Sequence, residues 1–175
     1  VAWEQFKLSI KNPAQPTQST DLPGLEITDT DHLIEVAGEG FKITFDRRKG
    51  NLSQYNYKGI DLLEHGLESH FWRAPNDNDL GNAMQGRTAV WRNAGKELKI
   101  TGIESSMDNN IGRIQVLSEH DTTDTQLETN YFVYGNGAVK VNHQIKNTRS
   151  DNPEIPRFGQ KMSLTGEFTE LDWFG

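Results

Sequence analysis

The chain has 175 residues without a cysteine, and 18 Lys and Arg against 25 Asp and Glu give a formal net charge of −7. An acidic chain without a basic stripe is not expected to bind nucleic acid or an anionic membrane, because nothing neutralises their phosphates. The lack of cysteine excludes disulfides, thiolate nucleophiles and cysteine-ligated zinc sites.

The first 24 residues divide into two stretches of different character. Residues 1–10 alternate imperfectly between apolar and polar side chains and predict one strand. Residues 12–24 combine prolines with Gln, Ser and Thr and present no apolar face, which is typical of an extended linker. No apolar core of a signal peptide precedes residue 10. The sequence therefore leaves the localisation open between cytoplasm and periplasm.

From Leu25 onward the pattern predicts strands. Phe41, Ile43 and Phe45 alternate with polar residues and so share one face of a strand. The Arg-Arg-Lys-Gly-Asn sequence that follows predicts a hairpin turn, with Gly50 as its left-handed residue.

Two stretches of the first half are predicted to depart from strand geometry. Residues 60–67 are predicted to form a turn or a short helical piece that leads into the next buried strand. Residues 86–95 contain the best helical candidate, a brief one that Trp91 would anchor in the core.

The second half of the chain has strong hairpin signals. The Asp-Asn-Asn sequence at 108–110 and the Gly-Asn-Gly sequence at 135–137 both predict tight turns between strands. Alternate residues from 139 to 145 share an apolar face, and His143 on that face is predicted to be a hydrogen-bonded core histidine. The chain is therefore predicted to be an all-β protein, a mostly antiparallel sandwich of two packed sheets.

Residues 71–82, with the sequence FWRAPNDNDLGN, are the most informative stretch. The aromatic pair is typical of the end of a buried strand. Pro75 and the Asn and Asp residues after it argue against a strand or a helix interior and predict a rigid acidic loop at the surface. Gly81 is predicted to take a positive φ or to act as a pivot. The alternative for the loop is a solvated turn.

This stretch resembles the signature of the C-terminal, small-chain domain of family 2 glycoside hydrolases of the β-galactosidase type. Residues 1–6, 45–53, 156–159 and 171–175 resemble other parts of the same region, in the same order. The resemblance implies an antiparallel β-supersandwich of the galactose-mutarotase-like kind, present in part.

The resemblance also implies a domain organisation. Residues 1–11 would end an immunoglobulin-like domain, residues 12–24 would be the linker, and residues 25–175 would begin the C-terminal sandwich.

The resemblance implies a parent enzyme that hydrolyses terminal β-D-galactosides such as lactose with retention. In that family the catalytic glutamates lie in a separate barrel domain, and Mg and Na are used there, so this chain is expected to be inactive alone and to hold no cofactor. Its expected partner is that barrel, in a homo-oligomeric parent. A segment of this chain would lend residues to the mouth of the substrate site: Arg73, Asn76, Asp77, Asn78, Asp79, Gly81 and Asn82.

Several alternatives remain open at this point. Asp77 and Asp79 lie too close in sequence to be a convincing pair of glycosidase carboxylates. With Asn78 they could ligate Ca²⁺ or Mg²⁺, although no bidentate Glu follows. Arg73 is expected to be anchored to the neighbouring domain or to an acidic residue of the loop, where the carboxylate of Asp77 or Asp79 would suit its planar fork; the alternative is an ordinary, partly exposed ion pair. Trp72, Trp91 and Trp173 are expected in the core rather than against a sugar.

Two competing function classes follow from the same sequence. The first is a stand-alone carbohydrate-binding or assembly module that works through a sheet face. The second is an epimerase-like enzyme of similar architecture, which would need a histidine and a carboxylate converging in a cleft.

Overall fold

The structure, a computed structural model, describes residues 22–166 and 168–170. The strand predicted at residues 1–10, most of the linker and Trp173 lie outside the described residues. The first six strands are β1 (Glu26–Asp29), β2 (Leu33–Gly38), β3 (Phe41–Asp46), β4 (Asn51–Tyr57), β5 (Ile60–Asp61) and β6 (Leu63–His70). The helical segment that follows contains α1 (Asp77–Gly81), α2 (Met84–Arg87) and 3₁₀ turns at Ala89–Trp91 and Ala94–Lys96. The later elements are β7 (Lys99–Asp108), β8 (Ile111–His120), a 3₁₀ turn at Asp121–Thr123, β9 (Thr125–Tyr134), β10 (Val139–Asn147) and β11 (Gly159–Leu164).

These strands form three sheets in which every described pairing is antiparallel. The first is five-stranded in the order β1-β2-β3-β4-β5, the second is four-stranded in the order β10-β9-β8-β7, and β11 pairs with β6. No helix among the described residues has the length and apolarity needed to cross a bilayer.

The main core lies between the five-stranded and four-stranded sheets. Ile43 and Phe45 of β3 are fully buried against Ile114 of β8 and Tyr131 of β9. The rings of Phe45 and Tyr131 meet edge to face with centroids 5.0 Å apart. Truncating Phe45 to Ala would cost about 3–5 kcal/mol of folding stability through the cavity it leaves. The predicted all-β, antiparallel sandwich is confirmed.

The tight turns predicted from local chemistry are present. Gly50 has φ +60° between β3 and β4, and Gly137 has φ +85° between β9 and β10. Asn109 and Asn110 have φ values of 46° and 59°, so the β7–β8 turn is left-handed at both central positions. Asn tolerates this region because its short polar side chain bonds locally.

The prediction of a turn or helix at residues 60–67 was wrong, because β5 and β6 occupy this stretch. Gly66 explains why the strand was missed. A Cβ at Gly66 would lie 2.2 Å from the carbonyl oxygen of Leu52 on β4, so β6 passes directly over β4. Only tertiary packing makes this glycine-containing stretch a strand.

The helix predicted at residues 86–95 is instead divided into α2 and two 3₁₀ turns. Its anchor was predicted correctly: Trp91 is 1% exposed and packs with Phe71 and Leu127 in a second, smaller core. The indole Nε1 of Trp91 donates to the carbonyl oxygen of Pro153 at 3.0 Å, which satisfies its polar atom. This second core supports the segment that holds the candidate site.

Candidate functional site

The candidate site begins where β6 ends, at a buried aromatic anchor. Phe71 is 2% exposed, and its ring centroid lies 5.8 Å from that of Trp91 and 5.9 Å from that of Phe158. The carbonyl oxygen of Phe71 also accepts a hydrogen bond from the backbone N–H of Arg157 at 3.2 Å. The chain therefore enters residues 73–82 from a fixed position.

Arg73 and Asp79 form a two-point ion pair. Arg73 Nη2 donates to Asp79 Oδ1 at 2.8 Å, and Nη1 donates to Oδ2. Arg73 Nε donates to the carbonyl oxygen of Pro156 at 3.1 Å, so the guanidinium also ties this segment to the stretch before β11. Two parallel N–H···O bonds fix both the distance and the plane of the pair.

Asp79 also closes the first turn of α1. Its backbone N–H donates to Asn76 Oδ1 at 3.0 Å, and the backbone N–H of Asn76 donates to Asp79 Oδ2 at 2.9 Å. This reciprocal arrangement is a capping box, which satisfies two backbone donors that the helix would otherwise leave open. The bonds from Arg73, and then that from Asn76, hold the pKa of Asp79 below its ordinary value.

The expectation that residues 76–82 form a loop without helix was wrong. Asn76 caps a short helix, and Asp77 and Asp79 lie in its first turn, where carboxylates suit the positive end of the helix. Gly81 was expected to have a positive φ or to act as a pivot, and the first of these alternatives was wrong: Gly81 is the last residue of α1, and it is Ala83 that has a positive φ, 57°. The Asn-x-x-Asp spacing of residues 76 and 79 is typical of a helix cap and was the local sequence signal for this helix.

The capped helix holds a small exposed surface. Asp77, Asn78 and Gly81 are exposed, and the side chain of Leu80 is 54% exposed although it is apolar. Asn82 Oδ1 accepts from Arg87 Nη2 at 3.1 Å, which ties the end of α1 to α2. The predicted site residues are thus brought together, with Asp79 buried, Arg73 half-buried and the others at the surface.

Asp79 is not arranged as a catalytic carboxylate or a metal ligand. Both of its oxygens accept from Arg73, and the side chain is 7% exposed. A group that already has these partners would have to give them up to ligate a cation. Among residues 22–166 and 168–170, no group of three or more His, Asp or Glu side chains could hold a metal ion.

Trp72 is half-buried rather than enclosed in the core. The guanidinium carbon of Arg92 lies 4.8 Å from the centroid of its ring, a stacked cation–π contact. No local sequence signal indicates this pair, because the two residues come from different segments. The contact covers one face of the indole beside the start of the site.

Two histidines bear on the epimerase-like alternative. His120 Nε2 lies 3.2 Å from Glu97 Oε2, but His120 is 2% exposed and its Nδ1 is bonded to Thr123 Oγ1 at 2.7 Å. The imidazole of this pair is therefore closed to a substrate, although the Glu97 side chain is exposed. His143 is half-buried; its Nδ1 bonds Thr129 Oγ1 at 2.7 Å, while its Nε2 is buried and has no hydrogen-bond partner among the described residues, so the expected hydrogen bonding is only partly present.

Comparison with known proteins places the chain in a family. The sequence profile described as "Beta galactosidase small chain" matches residues 37–175. The chain is 32% identical over 175 residues to a "Beta-galactosidase" of Priestia megaterium (strain DSM 319 / IMG 1521), which covers 100% of this chain and 17% of that protein. It is 28% identical over 152 residues to a "Beta-galactosidase" of Clostridium acetobutylicum, with 86% of this chain and 17% of that protein covered. It is 26% identical over 161 residues to a "Beta-galactosidase" of Streptococcus thermophilus, with 90% of this chain and 16% of that protein covered.

The chain thus spans only 16–17% of the length of these relatives. The family profile covers most of the chain, including the whole segment from Phe71 to Asn82. The chain belongs to the β-galactosidase small-chain family.

Proposed function

We propose that this chain is a non-catalytic part of a β-galactosidase that supports the catalytic region and lends residues 73–82 to the mouth of the active site. Its family and the names of its relatives support a role in a glycosidase. The small share of each relative that it spans supports a division of labour, with the hydrolysis of terminal β-D-galactosides performed elsewhere in the parent.

The observation that carries the proposal is the rigid presentation of an exposed surface. Arg73 and Asp79 fix the segment from within, and the cap from Asn76 fixes the first turn of α1. This leaves Asp77 and Leu80 exposed on a short, ordered helix. An exposed leucine on a fixed support suits contact with a second protein region, and neighbouring carboxylate and amide groups suit a sugar hydroxyl.

We also propose the domain boundaries that the resemblance implies. Residues 1–11 end a preceding domain, residues 12–24 link the two, and residues 25–175 begin the sandwich. The start of β1 at Glu26 supports the second boundary. The catalytic barrel is the partner that this organisation requires.

The test uses Leu80→Ala in the full-length parent and in the 175-residue chain. Ile60→Ala is the matched control, because Ile60 is 56% exposed and Leu80 is 54% exposed. Truncating an exposed side chain should leave the stability of the isolated chain within about 0.5 kcal/mol. In the parent, Leu80→Ala should lower kcat/KM for an aryl β-galactoside several-fold, and Ile60→Ala should not. Equal activity for the two variants would overturn the proposal.

Asp79→Asn provides a second test in the same parent. It keeps the shape of the side chain but removes the charge that Arg73 pairs with. The control is Asp151→Asn, because Asp151 forms a similar two-point pair with Arg149 at 2.7 and 3.0 Å. A several-fold loss of kcat/KM confined to Asp79→Asn is expected, and a loss common to both would mean that any surface ion pair has this effect.

One observation favours the alternative of a carbohydrate-binding sheet face. On the side of the four-stranded sheet opposite to the core, Arg113 donates twice to Asn130 Oδ1, at 3.1 and 2.8 Å. Asn130 and Gln115 donate to Glu128 Oε1 at 2.7 and 2.6 Å, and the ring of Phe132 lies beside Arg113. An ordered polar network beside an aromatic ring offers hydrogen-bonding groups and an apolar surface to a sugar.

Calorimetry of the isolated chain with galactose and lactose separates the two functions. The leading proposal predicts negligible affinity without the catalytic region. The alternative predicts measurable binding that Phe132→Ala removes and Leu80→Ala leaves unchanged.

A further inference from the structure

A cavity of about 310 Å³ lies between the two large sheets beside the β3–β4 hairpin. Pockets that hold small molecules begin at about 300 Å³, so this cavity has the volume of a small-ligand site. None of the residues that line it belongs to the segment 73–82. A ligand in this cavity would therefore occupy a site separate from the proposed active-site mouth.

The rim of the cavity is positively charged in a chain whose net charge is −7. Arg48, Lys49 and Lys96 lie on the rim and are exposed, and within residues 22–166 and 168–170 none of them forms an ion pair. The carboxylate on the rim, Glu68, is paired with Lys161 at 3.2 Å. Three cations without carboxylate partners favour an anionic group at this position.

Polar side chains reach the cavity from both large sheets, Asn51 from β4 and Ser118 and Thr129 from β8 and β9. Ser118 and Thr129 are each 5% exposed and line it, together with Asn51. Asn51 Nδ2 donates to the carbonyl oxygen of Leu67 at 2.9 Å, while its Oδ1 is buried without a hydrogen-bond partner among the described residues. A buried acceptor of this kind is matched by a ligand hydroxyl.

Apolar side chains lie beside these polar groups. Ile100 and Val116 line the cavity on the four-stranded sheet, where Ile100 is paired with Ser118 and Val116 with Thr129. A Cβ at Gly50 would lie 2.5 Å from Cδ1 of Ile100 and 2.7 Å from Cγ1 of Val116, so a larger residue would crowd this part of the cavity. Apolar and polar side chains that lie side by side suit a sugar ring, which has one apolar face and an edge of hydroxyls.

We propose that this cavity binds a single hexose that carries one anionic group, a phosphate or a carboxylate. The anionic group contacts Arg48, Lys49 and Lys96 at the rim. The sugar ring lies inside, with hydroxyl groups toward Asn51 and Ser118 and an apolar face toward Ile100.

The test is titration calorimetry of the full 175-residue chain at low ionic strength with galactose 6-phosphate and galacturonate. Neutral galactose and inorganic phosphate are the comparison ligands. At least one charged sugar should bind with one-to-one stoichiometry and at least tenfold more tightly than either comparison ligand. The tighter of the two charged sugars identifies the anionic group. Failure of both to bind would overturn the proposal, as would equal affinity for inorganic phosphate.

Three variants locate the binding. Lys96→Gln should weaken charged-sugar binding by about tenfold, the usual effect of losing one charge-assisted hydrogen bond. Lys140→Gln is the matched control. It removes the same charge from β10, and Lys140 does not line the cavity. Ser118→Ala should weaken sugar binding but not phosphate binding. Equal effects of Lys96→Gln and Lys140→Gln would place the ligand elsewhere and overturn the proposal. Circular dichroism of each variant confirms that it is folded.

Discussion

Acidification from pH 7 to pH 4.5 is expected to destabilise the folded chain through His143 on β10. Burial lowers the pKa of His143 to about 4 from its ordinary value of 6.5. Its Nδ1 is bonded to Thr129 Oγ1 at 2.7 Å, its Nε2 is buried, and its ring is stacked on Phe158 with centroids 4.7 Å apart. These surroundings reduce the hydration that an imidazolium requires.

The sign of the effect follows from which state binds the proton. Between pH 6.5 and pH 4 the unfolded chain protonates His143 and the folded chain does not, so protons favour unfolding. The contribution of His143 is fully present above pH 6.5 and is lost as the pH falls toward 4. A pKa difference of about 2.5 corresponds to about 3.4 kcal/mol below pH 4, of which about 2.5 kcal/mol is lost between pH 7 and pH 4.5. Because His143 is only partly buried, solvent screening reduces this to about 2 kcal/mol.

Urea unfolding at pH 7 and pH 4.5 measures this loss in the wild-type chain and in His143→Phe. The variant keeps a ring against Phe158 but has no titrating group. Between pH 7 and pH 4.5 its free energy of unfolding should therefore fall by about 2 kcal/mol less than that of the wild-type chain. His65→Gln, a change at an exposed histidine, should keep the wild-type dependence. An unchanged pH dependence in His143→Phe would refute the reasoning, as would an NMR titration of His143 near pH 6.5.

Two further predictions concern the isolated chain. It should hydrolyse no aryl β-galactoside above background, because the carboxylate of Asp79 in the candidate site is already paired with Arg73. Turnover that disappears in Asp79→Asn would contradict this. It should also self-associate with rising concentration in analytical ultracentrifugation, because β10 and β11 are edge strands in the sheets that the described residues form and Met162 and Leu164 on β11 are 54% and 41% exposed. Leu164→Lys should reduce the association, and a wild-type chain that stays monomeric at millimolar concentration would contradict the prediction.

Local chemistry made much of the sandwich predictable. Gly50 and Gly137 stand where the hairpins need a positive φ, and alternating side chains such as Phe41 and Phe45 identify the buried face of β3. These signals lie within a few residues of each other and need no knowledge of the rest of the fold. The strand β6 was missed because its signal is not local: Gly66 is required by the backbone of β4.

Part of the candidate site was also predictable, because some of its contacts join residues that are close in sequence. Arg73 was expected to pair with one of two nearby carboxylates, and the structure selects Asp79. Asp79 is three residues after Asn76, so it can join the cap and reach Arg73 with the same carboxylate, whereas Asp77 points to solvent at the surface. Contacts between separate segments, such as Arg92 over Trp72, had no sequence signal.

At Gly81 the conformation of the chain differs from the turn that the local sequence predicted. It ends α1, and a Cβ there would have no heavy atom within 4 Å. Gly81→Ala should therefore stabilise the chain, by at most about 1 kcal/mol, since alanine is the better helix former. Ala83 has φ 57°, where a Cβ costs about 1–2 kcal/mol. Ala83→Gly should remove that strain, and the larger unfolded-state entropy of glycine offsets about 0.4–1 kcal/mol of the gain. Urea unfolding of the chain and kinetics in the parent check both variants. Gly81→Ala should leave kcat and KM unchanged, and a several-fold change in either would show that Gly81 is a pivot after all.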